Sequence, residues 1–323
     1  MFRTEIIPQP FPVTINVKDK ILTTGSCFSD TIGKQLYESK FPVLVNPFGV
    51  AYNPFSIHKV LRYGLHNQVV PDHTYLESQE LFANYDFHSS FSSLKKSETA
   101  SKLKEVIGGV HYFLKETKWL LITYGTAWVY ERKDTGDIVS NCHKMPATNF
   151  TKSLLSRKKI LESFGEFYED LNSFNPGCHI ILTVSPVRHL KETLSLNSVS
   201  KSALRLACQT ITETFRNTFY FPSYEIMLDD LRDYRFYKPD MIHPSEVAEE
   251  YIWNRFSDCC FDETTRHFIK KWKTVLTSLQ HRPFQPQTLS HQNFLKGTLK
   301  QLEELKNTIN VTKEIEFVKS QLT

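Results

Sequence analysis

In TTGSCFSD, residues 23–30, the apolar run ILTT gives way to Gly25, Ser26 and Cys27 and then to a helical pattern. A glycine after a strand permits a tight turn, and a helix starting just beyond it turns free backbone N–H groups and its positive end toward whatever the preceding side chain holds. Ser26 is therefore placed either as a nucleophile with an anion-binding site beside it or as the cap that serines commonly supply to a helix. Cys27 is the rival nucleophile, because a thiolate forms far more easily than an alkoxide and a helix N-terminus favours it further. One residue into the helix, however, its side chain is expected to turn back toward the sheet beside Phe28, where small apolar groups pack. Ser26 is preferred.

A serine nucleophile needs a base, and the best candidate lies far along the chain in YKPDMIHPSEVAEEYIW, residues 237–253. Pro244 suits the first position of a helix whose opening turns are acidic (Glu246, Glu249, Glu250) and whose apolar stripe is Ala248, Tyr251, Ile252 and Phe256. His243 then stands at the head of that helix, with Asp240 three residues earlier. From such a loop a carboxylate can bond one imidazole nitrogen, fix its tautomer and leave the other nitrogen to face a serine. The same spacing also suits a solvated loop pair.

Positioning these residues requires a sheet, and the chain has the pattern for one. Apolar runs at 21–24, 42–45, 119–124, 179–185 and 221–227 alternate with helical patterns, which predicts an α/β fold with three layers, helices covering both faces of a central, mostly parallel, five-stranded sheet. Ile160, Phe164, Phe167, Leu171 and Phe174 mark one amphipathic helix that ends at Asn175-Pro176-Gly177, and Leu204, Cys208, Ile211 and Phe215 mark another. Residues 55–117 are too long for a simple crossover and are expected to form an insertion over one edge of the sheet. The strands stop after Phe261, so residues 1–262 form the α/β domain and residues 263–323 a helical extension. In that tail Leu295, Leu299, Leu302, Leu305 and Ile309, then Ile315, Val318 and Leu322, repeat among Lys and Glu. Gly297 and the loss of register near Asn310 argue for packing back onto the domain rather than one long coiled coil, and assembly into a homo-oligomer through these helices is the alternative.

With 323 residues, 40% of them hydrophobic, the chain can bury a core without covalent staples. A net charge of +4 from scattered Lys and Arg gives no footprint for nucleic acid. The start, MFRTEIIPQPFPV, lacks the continuous apolar segment of a signal peptide, and no stretch offers the roughly 20 apolar residues of a membrane span. A cytoplasmic protein is expected. Six cysteines without CxxC spacing read as reduced thiols. Cys142-His143 and Cys178-His179 point their side chains to opposite faces of a strand, so no metal and no cofactor is expected.

The glycine-serine after the first apolar run and the DxxH before a late helix resemble the SGNH, or GDSL-like, hydrolases. GSCFSD, NPFGVAYNP (46–54), DFHSSFS (86–92), TYGTAWVYE (123–131), NCHKMP (141–146), SPVRH (185–189) and DYRFYKPDMIHPS (233–245) are similar, in order, to the motifs of one branch, the GSCFA family, from about Phe2 to Phe261. The resemblance implies a flavodoxin-like SGNH fold with Ser26 as nucleophile, His243 as base and Asp240 as its orienting partner. It also implies that the N–H groups of Ser26 and of Gly49 form an oxyanion hole. SGNH enzymes generally carry a third donor in a Gly-x-Asn block, where this chain reads Gly125-Thr126-Ala127, and alanine cannot donate. Thr126, Asn141 and His143 are candidate substitutes, Asn141 having the alternative of a turn residue bonded to its own backbone. Arg188 and His189, after the fourth run, and His88 are candidates for contact with an anionic or hydroxylated substrate, or for surface-loop roles; His143 shares that substrate-binding candidacy. Ester hydrolysis on a small-molecule or carbohydrate-like substrate is the expected activity; O-acyl transfer through the same residues and ligand binding without turnover are the alternatives.

Overall fold

A computed structural model describes residues 4–322. Its elements in chain order are β1 (Lys20–Gly25), α1 (Cys27–Glu38), β2 (Val43–Val45), α2 (Pro54–His66), β3 (Tyr75–Ser78), β4 (Leu81–Asn84), α3 (Lys96–Leu114), β5 (Thr117–Tyr124), β6 (Trp128–Arg132), β7 (Ile138–Val139), β8 (Phe150–Leu154), α4 (Arg157–Phe174), β9 (His179–Val184), α5 (Leu194–Thr214), β10 (Thr218–Tyr220), the short α6 (Ser223–Glu225), α7 (Glu246–Cys260), α8 (Glu263–Gln280), α9 (Leu289–Leu305) and α10 (Thr312–Lys319).

Five strands form one parallel sheet in the order β10-β9-β5-β1-β2. The three central strands are buried at nearly every position because both their faces are covered, as parallel sheets require. Period-two alternation sorts those residues into two cores. Ile21, Trp119, Leu121 and Ile181 face α1, α7 and the helices beyond them, while Leu22, Leu120, Ile122, Ile180 and Leu182 face α2, α3, α4 and α5. This is the expected three-layer α/β architecture. The chain steps outward from β1 to β2 and then crosses back to β5, so the order reverses between β1 and β5. In open parallel sheets ligands bind beyond the carboxyl ends of the strands at such a reversal.

Two expectations need correction. Residues 221–227 are not the fifth strand: the strand is the short edge element β10, and Pro222 ends it, after which Ser223 begins a helical turn running to Asp230. Residues 55–117 contain α2, the β3–β4 hairpin and α3, and α2 and α3 share one helix layer, with Ile57, Val60, Leu61, Leu103, Ile107 and Val110 in its core. Only the β3–β4 hairpin and its flanks stand apart from that layer, while β6, β7 and β8 form a separate antiparallel sheet whose β6–β7 turn contains Asp134, Thr135 and Gly136. Pro244 is not in the helix: Ser245 caps α7 by accepting the Ala248 N–H, and Pro244 pairs with Tyr237 just before it.

The C-terminal helices lie against the α1–α7 face. Leu295, Leu302, Leu305, Ile315 and Val318 share one core with Ile15 and Trp119, the Trp272 Nε1–H donates to the Glu38 carbonyl at 2.7 Å, and Lys40 pairs with Glu314 at 2.6 Å. The apolar repeat of the tail is thus buried within its own chain. No described helix is long and apolar enough to cross a membrane. All six cysteines are unbridged.

Candidate functional site

Ser26 stands at the sheet's point of reversal. Gly25 ends β1 with φ +129°, and a β-carbon there would fall 2.1 Å from the Thr123 carbonyl oxygen, so only glycine lets β1 close against β5 and deliver the next residue. Ser26 itself is extended (φ −69°, ψ 170°) at the N-cap position of α1, yet its side chain makes no capping bond. It is fully buried, and Oγ has no hydrogen-bond partner among the described residues. The capping alternative is thereby removed. A buried hydroxyl left without a partner costs about 1–3 kcal/mol.

The two amides expected to make an oxyanion hole both have partners within the chain. The Ser26 N–H is the last rung of the ladder to β5, donating to Thr123 O at 3.0 Å, and the Gly49 N–H closes a turn onto Asn46 O at 2.8 Å. Asn46 is a structural hub: its N–H donates to Thr23 O at 2.8 Å, its Oδ1 accepts the Gly25 N–H at 2.9 Å and its Nδ2 donates to Asp30 at 2.6 Å. Burial raises the Asp30 pKa against the opposing Asn46 bond. His88 packs directly over Gly49, where a β-carbon would meet the His88 Cβ at 2.3 Å, and its Nδ1 caps the turn at Ser89–Phe91 by accepting the Ser90 N–H.

The third-block segment runs beside Ser26. Gly125 N–H and Thr126 N–H both donate to Tyr52 O, at 2.7 and 3.0 Å. The Ala127 N–H donates to Ser200 Oγ at 2.7 Å, and Ala127 is fully buried in the apolar core. Thr126 spends its hydroxyl on Ser200 and on the Trp128 N–H. What occupies the space around Gly125 comes from elsewhere: a β-carbon on Gly125 would lie 3.2 Å from each of the Ser26 Cβ, the Tyr52 ring and the His189 Nε2. His189 reaches this place from the loop after β9, its N–H held by Asn197 Oδ1 at 3.0 Å, its ring edge-on to Tyr52. Its Nε2 is buried without a partner among the described residues, and burial, followed by the electrostatic influence of Lys201 and His243, lowers its pKa to about 3. The imidazole is neutral at physiological pH.

Beneath Gly125 lies Lys201 of α5, wholly buried, donating to the carbonyls of Gly125 and Ser185 at 2.7 Å each. Desolvation draws its pKa down to about 7, opposed by the Cys27 thiol. The Cys27 pKa is itself raised, by burial first and then by Asp30, against the smaller pull of the Cys27 and Phe28 backbone N–H groups. Cys27 is thus a poor thiolate, and its half-buried side chain does not join the sheet core expected of it.

Asp240 and His243 form the expected pair. His243 Nδ1 lies 2.6 Å from one Asp240 oxygen, while the other accepts the Ile242 and His243 N–H groups at 2.9 and 3.0 Å. These bonds, led by the His243 N–H and then its imidazole, hold the Asp240 carboxyl down at about 2. An ionised carboxylate on Nδ1 leaves His243 Nε2 as the accepting nitrogen. Both side chains are substantially exposed, and His243 makes no hydrogen bond to Ser26 Oγ.

Arg188 stacks on Tyr237 at 3.9 Å, and its N–H donates to Ile242 O at 3.2 Å, joining the loop after β9 to the Asp240–His243 loop. Asn141 and His143 are not brought to Ser26. Asn141 accepts the His143 N–H at 2.9 Å, the turn alternative, and His143 Nε2 bonds Asn84 O at 2.7 Å. The Asn141 N–H donates to Tyr85 O, which places both residues with the β3–β4 hairpin. Sequence reasoning missed Lys201 and Tyr52. Lys201 falls three residues before Leu204 on the Leu204–Cys208–Ile211 stripe, and a lysine on an apolar stripe is the signal that was available.

The GSCFA family model matches residues 20–256, and the model of the GSCFA domain protein's C-terminal domain matches residues 272–323. A comparison with curated proteins finds no match. Solved structures with a similar course of the chain include a carbohydrate esterase family 3 protein from Talaromyces cellulolyticus (9% identity, TM-score 0.36, covering 78% of this chain and 98% of that one). Others are a carbohydrate esterase family 2 enzyme from Corynascus thermopiles (9%, 0.38, 80% and 69%) and an acetyl xylan esterase from Butyrivibrio proteoclasticus (10%, 0.36, 81% and 66%). Likenesses this distant say nothing of the present chain's substrate. With its match spanning β1 to α7 and a second over the terminal helices, the chain belongs to the GSCFA family.

Proposed function

We propose that this chain hydrolyses ester bonds through an acyl-enzyme on Ser26, acting on a small-molecule or carbohydrate-like substrate. Ser26 Oγ attacks the acyl carbon, His243 Nε2 takes the hydroxyl proton and returns it to the leaving alcohol, and Asp240 holds the imidazole in the tautomer this requires. The observation that carries the reading is the fully buried Ser26 hydroxyl, without a partner among the described residues at the sheet's point of reversal, with the Asp240–His243 loop tied by the Arg188 N–H to Ile242 O onto the loop that brings His189 beside Ser26. Hydrogen bonds of this kind are often long in the free enzyme and tighten around substrate.

Turnover of an aryl acetate by wild type, S26A, H243A and C27A tests it. Loss in the first two variants and retention in C27A is the expected result; wild-type rates in S26A and H243A refute it. A second reading, ligand binding without turnover, is favoured by the occupied amides of Ser26 and Gly49 together with Ala127. Labelling of Ser26 by a fluorophosphonate separates the two, since only a reactive serine forms the adduct. Acyl transfer uses the same residues, and analysis of products in the presence of a sugar acceptor distinguishes it from hydrolysis.

A further inference from the structure

The tetrahedral intermediate of an acyl transfer carries a negative oxygen that needs donors about 2.7–3.1 Å away. Around Ser26 the backbone supplies few. The amides of Ser26, Gly49, Gly125, Thr126 and Ala127 are each committed to an oxygen of the protein. Those of Cys27 and Phe28 face the Cys27 thiol. The Thr126 hydroxyl is spent on Ser200 and Trp128, and Asn141 lies with the β3–β4 hairpin. Besides Ser26 Oγ itself, a second buried polar group on this wall has no hydrogen-bond partner among the described residues: His189 Nε2, as near to the β-carbon position of Gly125 as Ser26 Cβ is.

We propose that His189 is a catalytic residue, its neutral imidazole in the Nε2–H tautomer donating to the acyl oxygen the side-chain hydrogen bond that Ala127 cannot make. The inference rests on Ser26 as nucleophile. As the Ser26 Oγ–carbon bond forms, the carbonyl π pair moves onto the oxygen, which His189 holds while the Ser26 proton passes to His243. When the pair returns, the ester's alkoxy group leaves and takes that proton. Water repeats the cycle on the acyl-enzyme, releasing the acid and Ser26. His189 keeps its proton throughout, which a neutral histidine shielded from solvent can do and a charged or titrating one cannot. Gly125 has its own part: without a side chain, it lets the imidazole approach the serine.

The test compares H189L, similar in size but without a donor, with H189Q, which keeps an N–H, alongside S26A, using aryl acetate turnover and the rate of fluorophosphonate labelling. The expected result is a fall in kcat of about 10²–10³-fold in H189L with KM little changed, a matching drop in labelling rate, and partial recovery in H189Q. H189L retaining wild-type kcat while S26A is dead overturns the role of His189 and leaves Ser26 standing. Equal losses in H189L and H189Q, with melting temperatures like wild type, also overturn it, because shape rather than the donor would then matter. A wild-type chain that neither turns over the ester nor takes the label removes the nucleophile and the donor together.

Discussion

The ammonium nitrogen of Lys201 lies 2.7 Å from the carbonyl oxygen of Gly125, and among the described residues no carboxylate is hydrogen-bonded to it. A cation buried against two carbonyls alone is held at a cost, which shows as a pKa of about 7 against the ordinary 10.5. The unfolded chain therefore binds the extra proton between those values. Stability from this group is fully present above pH 10.5 and is lost as pH falls through 7. In K201M that dependence disappears. Urea unfolding of both proteins across this range is expected to show their stability difference shifting in favour of wild type, by at most about 1.4 kcal/mol per pH unit, as pH rises. A difference independent of pH would mean that burial does not perturb Lys201.

Replacement of Ser26 by alanine separates catalysis from stability. A capping serine costs about 1 kcal/mol when removed. Ser26 makes no cap, and its hydroxyl is buried without a bond. The S26A urea midpoint is expected to equal or exceed that of wild type while turnover is lost. A drop of 1 kcal/mol or so would restore the capping role.

Gly125→Ala tests how tightly the wall is built. The new β-carbon meets Ser26 Cβ, the Tyr52 ring and His189 Nε2 at 3.2 Å, so each must give by a few tenths of an ångström. Overpacking of this kind costs roughly 1–3 kcal/mol. Turnover is expected to fall at least tenfold, because small misplacements at reacting atoms are costly. Unaltered kcat in G125A would place the reaction elsewhere.

His58 gives an acid-sensitive element away from Ser26. It is sealed between Ser163 Oγ (2.9 Å) and Tyr124 OH (2.7 Å), and burial lowers its pKa to about 3. Stability is fully present above the ordinary value of 6.5 and is lost as pH falls toward 3, because the unfolded chain protonates first. Wild type is expected to lose at most about 1.4 kcal/mol per pH unit from this group, and H58Q to show a shallower slope in denaturant melts from pH 7 to 4. Identical slopes would contradict the burial of a neutral imidazole at this position.

How much of this was legible in the chain differs by residue, and the reasons are physical. The central strands could be read because residues such as Leu120 and Leu121 are buried on opposite faces, leaving a continuous apolar run. Residues 221–227 misled because Phe221, Ile226 and Met227 are just as buried in a helical turn as in a strand, and apolar content does not distinguish the two. Ser26, Asp240 and His243 carried motifs. Whether the amides of Ser26 and Gly49 were free could not be read, since that depends on carbonyls at Thr123 and Asn46 supplied by the folded backbone. Lys201 was hidden by its type: a lysine is read as surface until its two carbonyl partners are seen.

Asn46 ties the end of β1, the start of α1 and the strap after β2 into one hydrogen-bonded piece around Ser26. Across from it, His243 rides on a solvent-facing loop joined through Arg188 to the segment bearing His189. Under the proposed mechanism, any travel that brings the imidazole to the serine would fall to that loop, and through the Arg188–Ile242 bond it would carry the segment of His189, the proposed donor, as well. Assembly of the base and of the donor would then be one event rather than two.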